Sequence, residues 1–91
     1  MYIYIFYMES IVDRFLVLIL AEGVKMPWLA AQTNIEAKRW HTIKQRKGMR
    51  TSELEAVIAI WPEYAYWLTT GKEIPDSGQI SPSTKQAMRR L

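Results

Sequence analysis

Between Val24 and Arg50 the chain reads VKMPWLAAQTNIEAKRWHTIKQRKGMR, a stretch that constrains the fold more than any other. Its apolar spacing predicts one helix over about 26–33, a tight turn at Asn34-Ile35, and a second helix over about 36–46 stopped by Gly48. Counted from Met26 as the first of twenty positions, Leu29 and Ala30 fall fourth and fifth. There an apolar side chain enters the core and a small one lets two helices approach. Asn34 falls ninth, where the chain must turn with φ > 0; after Gly, Asn tolerates that region best. Ile35, Trp40 and Ile43 fall tenth, fifteenth and eighteenth, the positions that need burial if the second helix is to lie across the first. All six anchors fit a helix-turn-helix spacing, with Asn where Gly is usual and Thr33 where an apolar residue is usual.

Charge is concentrated on the same element. Lys38, Arg39, Lys44, Arg46, Lys47 and Arg50 place six of the twelve Lys and Arg within thirteen residues, whereas the whole chain carries a formal net charge of only +3. One basic element thus sits on a slightly acidic body. A solvated charged helix is the plain explanation of most such runs. Here the run coincides with the face that the spacing turns outward, which favours a polyanion, because each Lys or Arg set near a phosphate releases condensed counterions.

The 91 residues make one domain, able to bury roughly 60–65% of its extended-chain surface without covalent staples. Cysteine is absent, so disulfides, a thiolate nucleophile and thiolate metal sites are excluded. His41 is the single histidine, with no second one to complete a ligand set, and no metal or other cofactor is expected. The apolar run 11–21 is interrupted by Asp13 and Arg14 and falls short of the ~20 residues of a bilayer span. The opening MYIYIFYM lacks the basic start and small-residue cleavage site of a signal peptide. A cytoplasmic protein without a membrane partner is expected.

Taken in order, residues 1–9 form an apolar arm with three open readings: an edge strand, a segment pairing with a second copy, or an extension ahead of a start at Met8. Ser10-Ile11-Val12-Asp13 is a capping-box variant that opens a first helix over about 11–22, with Gly23 as its stop. Ile11, Phe15, Leu18 and Ile19 form its buried stripe, widened by Val12, Leu16 and Leu20. The second helix starts at Met26-Pro27 with no capping side chain, leaving its amides for water or an anion. Ser52-Glu53-Leu54-Glu55 reads as a capping box that starts a fourth helix, with Leu54, Val57, Ile58 and Trp61 facing the core. Pro62 ends that helix and starts a fifth, burying Tyr64, Trp67 and Leu68 and stopping at Gly71. Residues 72–80 read as a loop, and Ser81-Pro82 caps a short basic helix to Leu91. Trp40, Trp61 and Trp67 are read as core, and Tyr64 and Tyr66 as core and its rim. Trp28 is read as a partner contact, and Glu53, Glu55 and Glu63 as compensation of helix N-terminal dipoles. No catalytic constellation emerges, and an enzyme is not expected.

With Leu29-Ala30, Ile35, Trp40 and Ile43 in place and Tyr64 to Gly71 closing as a WLxTG-like end, residues 10–71 resemble the phage repressor and Cro type of DNA-binding domain. Gly78-Gln79-Ile80-Ser81-Pro82 is similar to tails of small prophage-type regulators of proteobacteria. The resemblance implies an all-α, five-helix lambda-repressor-like bundle over 10–71, preceded by the arm and followed by the loop and basic helix of 72–91. It implies that the third helix enters the major groove of duplex DNA. Base edges would be read by Ala37, Lys38, His41 and Thr42, with Gln45 one turn on. Lys38 suits guanine O6 or N7, Gln45 suits adenine, and Ala37 or Thr42 suits a thymine methyl. Lys25, Arg39, Arg46, Lys47 and Arg50 would meet phosphates. Two departures stand out: Met26 replaces the polar residue that usually holds a phosphate at the start of helix 2, and Trp28 takes a position that is commonly polar. The implied activity is repression by a homodimer on a palindromic operator. The competing reading is an antitoxin or interaction module that uses this fold to bind a protein; a toxin or polymerase partner stays open.

Overall fold

The computed structural model describes residues 10–90, and its α-helices among them are six: α1 (Ile11–Glu22), α2 (Met26–Thr33), α3 (Ala37–Arg46), α4 (Thr51–Ile60), α5 (Ala65–Thr70) and α6 (Pro82–Arg89). Two 3-10 turns, Pro62–Tyr64 and Pro75–Ser77, precede α5 and α6 respectively. An isolated antiparallel bridge joins Ile74 to Gln79 across the second turn. The all-α expectation therefore holds; the arm at residues 1–9 lies outside the described residues.

Local chemistry sets the helix ends. The Ser10 hydroxyl accepts the Asp13 N–H at 3.1 Å, and Gly23 closes α1 at φ 69°. A three-residue break then bends the chain by 104° into α2. Asn34 ends α2 in the left-handed region at φ 60°, as its place in the frame requires, and its N–H bonds the Ala30 carbonyl at 2.9 Å. Thr33 closes the same turn with its hydroxyl, donating to the Leu29 carbonyl at 2.7 Å and accepting the Ile35 N–H at 3.2 Å. That second use of the hydroxyl explains how a polar residue stands where an apolar one is usual.

Two helix ends differ from expectation. Gly48 does not stop α3; Lys47 does, at φ 58°, with its N–H on the Ile43 carbonyl at 2.9 Å. Nor does Ser52 cap α4, which starts at Thr51 behind Arg50. From there Glu53 is the third helical residue, and its carboxylate accepts the Arg50 N–H at 2.7 Å. This is the acidic half of a capping box, shifted two residues upstream of the expected one.

The core gathers Phe15, Leu18 and Ile19 of α1, Leu29 of α2, Trp40 and Ile43 of α3, Val57 of α4, and Trp61, Tyr64 and Leu68 beyond it. Phe15 stacks on Trp40 with ring centroids 5.5 Å apart. Leu20, expected in the buried stripe, is 84% exposed, because the helical period carries it nearly opposite the Phe15–Leu18 direction. Arg14 is buried instead. Its Nε donates to the Leu68 carbonyl at 2.8 Å and its Nη2 to that of Thr69 at 3.3 Å, serving carbonyls that the short α5 leaves without helical partners. Trp67 is half-buried at the edge of Tyr64 rather than central. Trp28 rests its ring 5.8 Å from that of Trp61, so it has a neighbour inside the chain while staying 40% exposed.

Residues beyond 71 fasten onto the same body. Ile80 and Pro82 are buried, and the Ile80 N–H reaches the Glu63 carbonyl at 3.0 Å. Lys85 of α6 places its Nζ 2.7 Å from Glu63 and 3.3 Å from Glu22, and over the Tyr64 ring. Tyr64 in turn donates its hydroxyl to Glu22 at 2.5 Å. Burial, then the Glu22 carboxylate beside it, pushes the Tyr64 hydroxyl well above the ordinary phenol range. No single helix among the described residues is long and apolar enough to cross a membrane.

Candidate nucleic-acid interface

α3 has two faces because its residues advance by about 100° each. Trp40 and Ile43 are fully buried, and Lys38 and Gln45, seven residues apart, project the other way. Lys38, His41 and Gln45 are exposed, and Thr42 is half-buried, its hydroxyl donating back to the Lys38 carbonyl at 3.0 Å. Ala37 is half-buried against the core. The five residues assigned to base contact thus share one helix. Four of them lie on its outer face, with Ala37 at the margin.

The residues assigned to phosphate divide. Lys25, at the uncapped start of α2, is exposed, as are Arg46 and Arg50. Among the described residues none of these three makes a side-chain ion pair with a carboxylate, and neither do Lys38 and Lys44. Arg39 and Lys47 do. Arg39 grips the buried carboxylate of Glu53 through Nε, and through Nη2 at 2.9 Å. This fork holds Glu53 below the usual carboxylate range and raises the Arg39 guanidinium further. Lys47 reaches Asp13 of α1 at 2.6 Å, and that hydrogen bond, ahead of the one from Ser10, lowers the Asp13 carboxyl. Arg39 is therefore tied to a carboxylate of its own fold, with 27% of its side chain exposed.

Lys44, outside the residues assigned to base or phosphate contact, is exposed on the same helix. With Lys25 and His41 it borders a groove of about 520 Å3 whose apolar wall includes Leu16, Leu20 and Pro27. Its membership in the basic run was the available signal. The arrangement can present hydrogen-bond donors and positive charge along one exposed helix.

The class defined by fold and surface is a small all-helical protein in which most of the unpaired cations among the described residues lie on or beside one exposed helix. No protein-family model matches the chain, and no curated protein matches it. Among solved structures it is similar to Pf6r from the filamentous phage Pf6 of Pseudomonas aeruginosa PA01, with 33% identity and a TM-score of 0.76 over 91% of this chain and 98% of that one. The chain belongs to the family of Pf6r.

Proposed function

We propose that the chain is a sequence-specific duplex-DNA-binding regulator of phage type, a binding protein rather than an enzyme. In this reading α2, the Asn34 turn and α3 are a helix-turn-helix within a lambda-repressor-like bundle. The division of α3 into faces carries the proposal, with Trp40 and Ile43 at 0% exposure beneath an outer face of Lys38, His41 and Gln45. A helix held by one apolar side and offering donors on the other fits the major groove. Kinship with a phage protein supports a phage regulatory role. The regulator acts in the cytoplasm, without a membrane, as a homodimer on a pseudo-palindromic operator that it represses by occlusion, since one recognition helix covers about one half-site.

Footprinting on the DNA flanking its gene tests this, followed by titration of the protected duplex and a random duplex of equal length across a salt series. Lys38→Ala and Gln45→Ala should each cost about 1–3 kcal/mol on the protected duplex and relax discrimination at one base step. Five cations whose side chains make no ion pair among the described residues, Lys25, Lys38, Lys44, Arg46 and Arg50, set a ceiling on the salt slope of roughly −4.5 per half-site. Unchanged binding of both duplexes by both variants would remove α3 as the reader.

A further inference from the structure

Among the described residues Glu53 is the only buried carboxylate, 3% exposed. A carboxylate out of water persists only if its oxygens are satisfied. Here both are: Oε1 accepts the Arg50 N–H at 2.7 Å and Arg39 Nη2 at 2.9 Å, and Oε2 accepts Arg39 Nε. The Arg50 bond ties the carboxylate to the first turn of α4, which is anchored by buried Val57. The forked pair then ties α4 to Arg39 on α3.

Arg39 occupies a particular place on that helix. Its direction lies between the buried line of Trp40 and Ile43 and the outer face of Lys38 and Gln45, on the α4 flank. The opposite flank, toward Lys44, borders the groove of about 520 Å3 where α3 meets the α1–α2 junction. Two buried anchors along one line hold α3 against the core but oppose its roll about its own axis weakly. A planar fork on one flank opposes roll directly, because both hydrogen bonds lengthen when the helix turns.

We infer that Glu53 is a positioning residue for DNA reading: through Arg39 it sets the roll of α3, and so the direction in which Lys38, His41 and Gln45 meet base edges. The inference rests on the DNA-binding reading above; Glu53 meets Arg50, one of the proposed phosphate contacts, only at its backbone N–H. It gives Glu53 a role in specificity rather than in affinity at large.

Two variants test it, each at a temperature where circular dichroism shows the variant fully folded. Glu53→Gln keeps a side-chain oxygen for the Arg50 N–H and removes the charge. Arg39→Lys keeps the charge and removes the fork. The measured quantity is the ratio of affinities for the footprinted duplex and a random duplex of equal length, across salt. The ratio should fall about tenfold in both variants, the size of one lost base contact, while the salt slope of Arg39→Lys stays at the parent value. In amide NMR spectra of the free protein, the peaks of residues 37–46 should move more than those of the α1 core residues. A lowered melting temperature with an unchanged ratio in both variants overturns the inference, leaving the pair merely structural. A parent that binds both duplexes equally defeats the DNA-binding reading itself, a result that needs no variant.

Discussion

Two residues other than glycine have positive φ among the described residues, Asn34 at 60° and Lys47 at 58°, and they bracket α3. For an L-residue the left-handed region costs about 1–2 kcal/mol through the clash of Cβ with the following carbonyl, less for Asn, whose short amide compensates locally. Asn34 is exposed, so substitution there probes the backbone rather than packing. Asn34→Gly removes Cβ but adds unfolded-state freedom of about 0.5–1 kcal/mol, and should lie within about 0.5 kcal/mol of the parent. Asn34→Val carries the full steric cost and should lose on the order of 1–2 kcal/mol. At Lys47 the ion pair with Asp13 must be separated from the backbone. Lys47→Met keeps Cβ and loses the pair, which at an exposed site contributes about 0–1 kcal/mol. Lys47→Gly loses the pair and the clash together, so it should be the more stable of the two by up to about 1.5 kcal/mol. Urea unfolding followed by tryptophan fluorescence and circular dichroism reads these differences; 1 kcal/mol is about 4–8 °C in Tm for a domain of this size. Equal midpoints for the Asn34→Val and Asn34→Gly variants would refute the left-handed turn, and with it the alignment of α2 and α3.

Stability should fall on acidification. The carboxyls of Asp13 (chiefly through Lys47), Glu53 (through Arg39) and Glu73 (through Thr84) lie below their ordinary values; Glu22 does too, where Tyr64 and Lys85 outweigh the opposing effect of burial. Lowered folded-state values stabilise above the unfolded carboxylate range of about 4 and lose that contribution as pH drops through them. The urea midpoint should therefore hold from neutrality to about pH 5 and decline below it; a midpoint that rises toward pH 3 would contradict these pairings. Trp40 is fully buried, and among the described residues its Nε1 has no hydrogen-bond partner. Trp40→Phe should cost under about 2 kcal/mol because removing an orphan donor offsets lost packing, whereas Trp40→Ala should cost about 3–5 kcal/mol. A Trp40→Phe loss well above about 2 kcal/mol would show that removing the indole N–H brings no offset.

The parts of the fold that were legible depend on residues close in sequence. Phe15, Leu18, Leu29, Trp40 and Ile43 are buried because the helical period aligns them, and Asn34 turns because few side chains tolerate that conformation. A boundary decided by one residue is less legible. Ser52 looked like a cap by type, but Glu53, held through Arg39, is the third residue of α4, which sets the helix start two residues earlier. Leu20 looked like core by hydrophobicity alone, although its angle on α1 already placed it outward.

The site was legible to a different depth. Periodicity identifies the outer face of α3, so Lys38, His41 and Gln45 follow from Trp40 and Ile43. It does not show which cations are already paired. Arg39 finds its carboxylate 14 residues on, Lys47 finds one 34 residues back, and Arg14 reaches carbonyls 54 and 55 residues away. Each partner is supplied by the way the helices pack, and a run of positive charge looks the same whether its members face solvent or their own core. Composition therefore overstates the charge available to a polyanion. The packing divides the run into cations that can meet phosphate and ties that hold α3 in place, and this second group had no signature in the local sequence.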